Sequence, residues 1–144
     1  MIFTLIPIRD VTSGAIENSP EFRRSAADAW KAVNKGGNPA AESGYSVEAD
    51  GGTSNIHTEV HPQTSGVAAA QHDKIAYQPD DFGVNHTHPN ASSDRLSAND
   101  IAAAKKIKKN VWVTSRTGLW DVDPNGPVTQ VFNDSDWMEK KDPK

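Results

Sequence analysis

Polar and apolar positions along this chain switch between two periods. Phe22, Ala26, Ala29, Trp30 and Val33 recur at helical spacing and predict an amphipathic helix with one core-facing stripe. Ser19-Pro20-Glu21 supplies its start: Ser at the N-cap, Pro at the first helical position and an acid in the first turn. Gly36-Gly37 supplies its stop. From Glu42 to Glu48 the pattern alternates as a strand, closed by Asp50-Gly51-Gly52, and Ser54 to Pro62 reads as a second strand. Asp81 through Asn85 reads as a third short strand, which could run on through His88. Pro89 ends it, having no N–H for the ladder. Ala98 to Lys109 reads as a helix with Ile101, Ala104 and Ile107 inward. Val111 to Ser115 and Leu119 to Val122 form a hairpin through Arg116-Thr117-Gly118, and Val128 to Phe132 gives a last strand. The order is helix, two strands, long loop, strand, helix and closing meander. It predicts an α+β class, an α/β sandwich built on one central mixed sheet.

The remaining stretches carry weaker signals. Met1 to Ile8 is apolar and reads as a strand or as an arm packing on the domain; Asp10 to Asn18 is turn-rich. The abrupt beginning would suit a domain cut from a longer protein. Gln63 to Asp81 is a long connection, with a helical turn at Gly66 to Gln71 and a turn at Tyr77 to Asp81. A connection of that length is either a binding loop or a tolerated insertion. Beyond Asn133 the chain is polar and reads as a frayed tail. The expected organisation is an arm or linker over 1–18, one domain over 19–133 and a tail over 134–144.

Composition narrows the function. A length of 144 residues suits one domain with a real core. The net charge of −4 and a pI near 5.7 leave no nucleic-acid footprint. No apolar run approaches the roughly 18 residues of a membrane span. The apolar start lacks a basic leader and a small-residue cleavage site, so it is no signal peptide. Cysteine is absent, which excludes thiolate metal sites, thiol nucleophiles and disulfides. Ten Gly and nine Pro, with a mean hydropathy of −0.65, imply long polar connections around a modest core.

The chemistry gathers between Asn85 and Asp100. On a strand, His86 and His88 share one face. Ser97-Ala98-Asn99-Asp100 opens the following helix, so a short loop lets two ring nitrogens and one carboxylate converge. Two neutral imidazoles and a carboxylate are a usual donor set for a catalytic Zn²⁺. The plainer alternative is a solvated strand face beside a capping box, with Ser97 as the cap in either case. A second group, His57, Glu59 and His61, also alternates on a strand. There Ile56, Thr58 and Val60 would form the buried face and turn the histidines to solvent. The spacing is also not His-Glu-x-x-His.

His86-Thr87-His88-Pro89 followed by Ser97-Ala98-Asn99-Asp100 resembles the JAMM motif of the JAB/MPN metallopeptidases. There a His-x-His-Pro at a strand end precedes Ser-x-x-Asp at a helix start. The family also carries a glutamate upstream, on a strand after the first helix. Glu42-Ser43-Gly44-Tyr45 occupies that place, 44 positions before His86. Glu48 and Glu59 are its competitors. The element order from about Ser19 to Phe132 is similar too. Asn85 to Ala104, with the Val111-Trp112-Val113-Thr114-Ser115-Arg116-Thr117-Gly118-Leu119-Trp120 run, looks closest to JAB-like domains ending bacterial polymorphic and Rhs-type toxins. One departure is that eight residues separate His88 from Ser97, one more than the family usually has.

The resemblance implies a JAB/MPN-like fold, related to the cytidine deaminases, and a zinc-dependent peptidase or isopeptidase. His86, His88 and Asp100 would ligate Zn²⁺, Glu42 would act as general base, and Ser97 would donate to the oxyanion. The implied substrate is a protein or peptide, ubiquitin-like conjugates among them. The toxin branch would add an immunity protein as partner, with the chain cytoplasmic or exported by a dedicated secretion system. Two other classes stand beside this one. A catalytically inactive JAB-like scaffold would bind a protein partner, although such relatives tend to lose ligands. A zinc deaminase needs Pro-Cys-x-x-Cys, which a chain without cysteine cannot supply.

Overall fold

The structure, a computed structural model, describes residues 12–33, 41–54, 56–60, 77–88, 98–115 and 117–139. At 41, 42, 57–60, 99, 135 and 139 it describes the backbone alone. Six strands form one mixed sheet in the order β2-β1-β3-β4-β5-β6. They are β1 (Ala41–Val47), β2 (His57–Val60), β3 (Gly83–Thr87), β4 (Asn110–Ser115), β5 (Gly118–Val122) and β6 (Val128–Phe132). Only β3 and β4 pair in parallel, and the helix α3 (Ala98–Ile107) lies between them in sequence. The other pairs are antiparallel, so the expected α+β class with a central mixed sheet is what forms. The segments Met1 to Val11, Gln63 to Ala76, Pro89 to Ser97 and Gly36-Gly37 lie outside the described residues.

Alternation gives the sheet two different faces. One carries Tyr45, Val47, Trp112 and Leu119, which pack with Phe22, Ala26, Ala29, Trp30 and Val33 of helix α2 (Pro20–Ala32). Phe22 sits at the centre, edge-on to Tyr45 at 5.9 Å and to Trp112 at 5.2 Å. Ser19 caps α2 as its sequence suggests, its hydroxyl accepting from the Phe22 N–H at 3.1 Å. The opposite face carries Val84, Val111 and Val122. Ala103 and Ala104 of α3 pack on these, with Ile101 and Ile107 at their margin. The sheet is therefore a middle layer between helices.

Two segments differ from their sequence reading. The turn-rich stretch before Ser19 contains a short helix, α1 (Ser13–Glu17), whose N-cap Thr12 accepts from the Ala15 N–H at 3.1 Å. Ile16 from α1 is buried in the aromatic core, and burial of that one side chain offsets the poor intrinsic stability of so short a helix. The tail is not frayed throughout either. A 3-10 helix, Ser135–Glu139, places Trp137 and Met138 in the same core. Trp137 stacks on Phe132 with ring centroids 5.0 Å apart, so both flanks of the expected 19–133 domain contribute to it. Gly118 holds φ +127 in the β4–β5 hairpin, with the Phe132 carbonyl where a Cβ would stand.

Candidate metal centre

The end of β3 is fixed from both sides before any ligand is considered. β1 pairs with it as Gly44 to His86, β4 pairs as Val113 to His86, and the His88 N–H donates to the Thr114 carbonyl at 2.8 Å. His86 and His88 therefore share the face that α3 covers, as alternation predicts. Asp100, in the first turn of α3, comes down onto them. His86 Nε2 lies 2.9 Å from Asp100 Oδ1, His88 Nε2 lies 3.3 Å from Asp100 Oδ2, and the two Nε2 atoms are 3.2 Å apart. All three residues are buried, and this group could hold a metal ion.

The distances fit a cation. In a tetrahedral site with bonds of roughly 2.0–2.1 Å, neighbouring ligand atoms stand roughly 3.3 Å apart. Two imidazole nitrogens 3.2 Å apart share a hydrogen bond only if one carries the proton. With both lone pairs turned inward they repel unless a positive charge lies between them. Burial alone would raise the Asp100 carboxyl. The charge and hydrogen bond of His86, then those of His88, outweigh it and hold the group well below the usual carboxylate range. The carboxylate is thus kept ionised at a site water barely reaches, the charge and hydrogen bonds of the two rings standing where a cation would act.

The other sequence candidates fall at different places. Ser97 lies outside the described residues, as does His61. Position 42 is placed by its backbone. Two residues from Gly44 along β1, it stands on the sheet face of His86, and the β1–β3 register continued by two positions sets it opposite His88. Position 59 pairs with position 42 on the far side, one strand spacing of roughly 5 Å further out. Glu48 lies past the other end of β1. It lines a cleft of about 470 Å³ with Asp50, Asp80 and Asp81, roughly 13 Å along the strand from Gly44. Of the three glutamates, position 42 is nearest the histidines.

Ile56 packs at the margin of the aromatic core, as expected. Position 57 pairs with Gly44 and position 59 with position 42. By backbone register the two positions stand on the sheet face that carries His86.

Sequence reasoning missed the buried polar residues behind the two histidines, Asn85 and Thr114, because alternation marks only which face they take. Trp120, level with His86 on the ligand face, has an indole N–H with no partner among the described residues. Comparison with protein-family models, with curated proteins and with solved structures finds no match to this chain.

Proposed function

We propose that this chain is a zinc-dependent peptidase or isopeptidase of the JAB/MPN type. The observation that carries the reading is the convergence of three buried donor atoms, His86 Nε2, His88 Nε2 and an Asp100 carboxylate, at 2.9–3.3 Å. Two nitrogens and one oxygen suit Zn²⁺ and leave a fourth position for water or substrate. The order β1, β3, α3 also supports the reading, because it presents Glu42, the His pair and Asp100 in the sequence the JAMM motif requires.

When bound, the metal would act as a Lewis acid and lower the pKa of water in its open position. The chain's own residues would do the rest. Glu42, from the strand beside β3, would take a proton from the attacking water and return it to the leaving amine. Ser97, which precedes Ala98 in the sequence, would donate a hydrogen bond to the developing oxyanion. Asp100 and the two histidines would stay deprotonated and hold their geometry through the cycle. The bond cut would be a peptide or an isopeptide in a protein substrate, including conjugates of the ubiquitin-like class. The setting in best accord with the resemblance is the effector domain of an exported bacterial toxin, with an immunity protein as its partner.

Exchange of the proposed base tests the reaction. Glu42→Gln should keep bound zinc and lose hydrolysis by about 10²- to 10⁴-fold. Full activity in Glu42→Gln, with loss in Glu59→Gln, would move the base to β2. Stoichiometric zinc without hydrolysis of any peptide or isopeptide in the unaltered chain would favour the scaffold reading.

A further inference from the structure

Alternation fixes which face of the sheet the two histidines take, but not where along the strand they stop. A slip of β3 by two residues would keep every side chain on its face and move the ligands by roughly 6.6 Å. All five β3 positions are buried, so the apolar pattern does not distinguish these registers.

A chain of buried hydrogen bonds on the opposite face does. The Tyr45 hydroxyl donates to the Phe22 carbonyl at 3.0 Å. Asn85 Nδ2 donates to that hydroxyl at 2.9 Å, and the Thr114 hydroxyl donates to Asn85 Oδ1 at 3.0 Å. Beside them, the Ser43 N–H donates to Thr87 Oγ1 at 3.0 Å. Tyr45, Asn85, Thr87, Thr114 and Ser43 are each at most 1 % exposed. The surroundings are Phe22, Trp112 and Leu119, where apolar side chains would pack without the cost of burying polar atoms.

We infer that Asn85 is a positioning residue for the metal pair, which locks β3 in the one register that brings His86 and His88 under Asp100. Asn85 and Thr87 alternate with the ligands along the strand, so each ligand adjoins a residue bonded on the opposite face. Asn85 reaches β1 through Tyr45 and β4 through Thr114, the two strands that flank β3. Any shift of β3 takes the Asn85 amide from its bonds to the Tyr45 and Thr114 hydroxyls and leaves buried polar atoms unpaired, a cost that low polarity makes high. This inference rests on the metal reading of the site but names residues that touch no metal.

The test compares Asn85→Leu/Thr114→Val, which replaces both partners by apolar groups of similar shape, with Thr114→Ser, which keeps the hydroxyl. Metal affinity is read by chelator competition with Zn²⁺ and with Co²⁺, alongside the unfolding midpoint. The double variant should stay folded and bind both ions about 10- to 100-fold more weakly, the range for residues that orient ligands. Thr114→Ser should bind as the unaltered chain does. A folded double variant with unchanged affinity overturns the inference. Should the double variant not fold, Thr114→Val alone decides: weaker binding restored by Thr114→Ser supports it, and unchanged binding overturns it. If the unaltered chain binds neither ion, the metal reading fails instead. The inference is then read in metal-free protein from the His86 and His88 ring ¹⁵N resonances. Splitting or broadening in the double variant supports it; a single unchanged set refutes it.

Discussion

Asp100 and Glu17 are both carboxyls buried against the same sheet, on opposite faces, and their environments drive them in opposite directions. Asp100 meets two imidazoles and is held well below the usual carboxylate range. Glu17, from α1, meets Asp121 of β5. Burial first, then the hydrogen bond and charge of Asp121, push it up to about 8, although the Trp112 indole N–H donates to it at 2.8 Å. Burial acts the same way on both. What differs is the partner: a group that is or can become cationic in one case, a second acid in the other. A buried carboxylate kept ionised is prepared to bind a cation, whereas a buried carboxyl kept protonated is prepared to share its proton. Asp121 keeps a donor of its own, the Asn110 side-chain amide at 2.7 Å.

The largest expected effect is on the ionised side. Asp100→Ala leaves two inward-facing imidazoles without their carboxylate and should abolish stoichiometric metal binding while the helix α3 remains. Elemental analysis after gel filtration reads this directly, and retained metal would remove Asp100 from the donor set. Asp100→Asn is the finer version. It keeps the shape but not the charge, so it should also lose the metal at neutral pH.

Truncation in the aromatic core comes next. Trp137 is buried between Phe22 and Phe132, and Trp137→Ala should lower stability by about 3–5 kcal/mol, read by denaturant unfolding. A loss below about 1 kcal/mol would show that the end of the chain is an accessory to the core rather than part of it. Metal content of the folded fraction should not change, since Trp137 lies on the other face.

The protonated side gives the smallest and most specific effect. Glu17 has its folded pKa raised from 4.5 to about 8. Its folded form therefore holds the proton more tightly than the unfolded chain does. The stability it contributes is fully present below about pH 4.5 and is lost as pH rises through about 8. For metal-free protein the unfolding free energy should fall between pH 5 and pH 9, by an amount on the order of a few kcal/mol. Glu17→Gln should flatten this decline, because the amide accepts from Trp112 and donates to Asp121 without a proton to lose. Parallel pH profiles for the two proteins would show that the carboxyl pair does not set the slope.

These two sites were not equally legible in the sequence. His86 and His88 could be placed because a period of two carries both to one face. Asp100 could be placed because a helix start fixes its first turn. Glu17 could not: α1 has one cap and one buried anchor, too little pattern for a helix to stand out from turn residues. Trp137 and Met138 were hidden behind Asn133-Asp134-Ser135-Asp136, a polar run that reads as a tail although the core continues past it. The Tyr45–Asn85–Thr114 chain joins residues 40 and 29 positions apart, and no local period links them. Positions 57 and 59 show the limit of alternation from the other side. It separates two faces of a strand but cannot say which face another strand's ligands will share.

Whether His86, His88 and Asp100 form one metal site is read by a zinc titration of metal-depleted protein at neutral pH, followed by calorimetry. One ion should bind per chain in the unaltered protein and in His57→Ala/His61→Ala, and none in His88→Ala. Binding that survives in His88→Ala, or that disappears in His57→Ala/His61→Ala, would contradict the metal reading of this site.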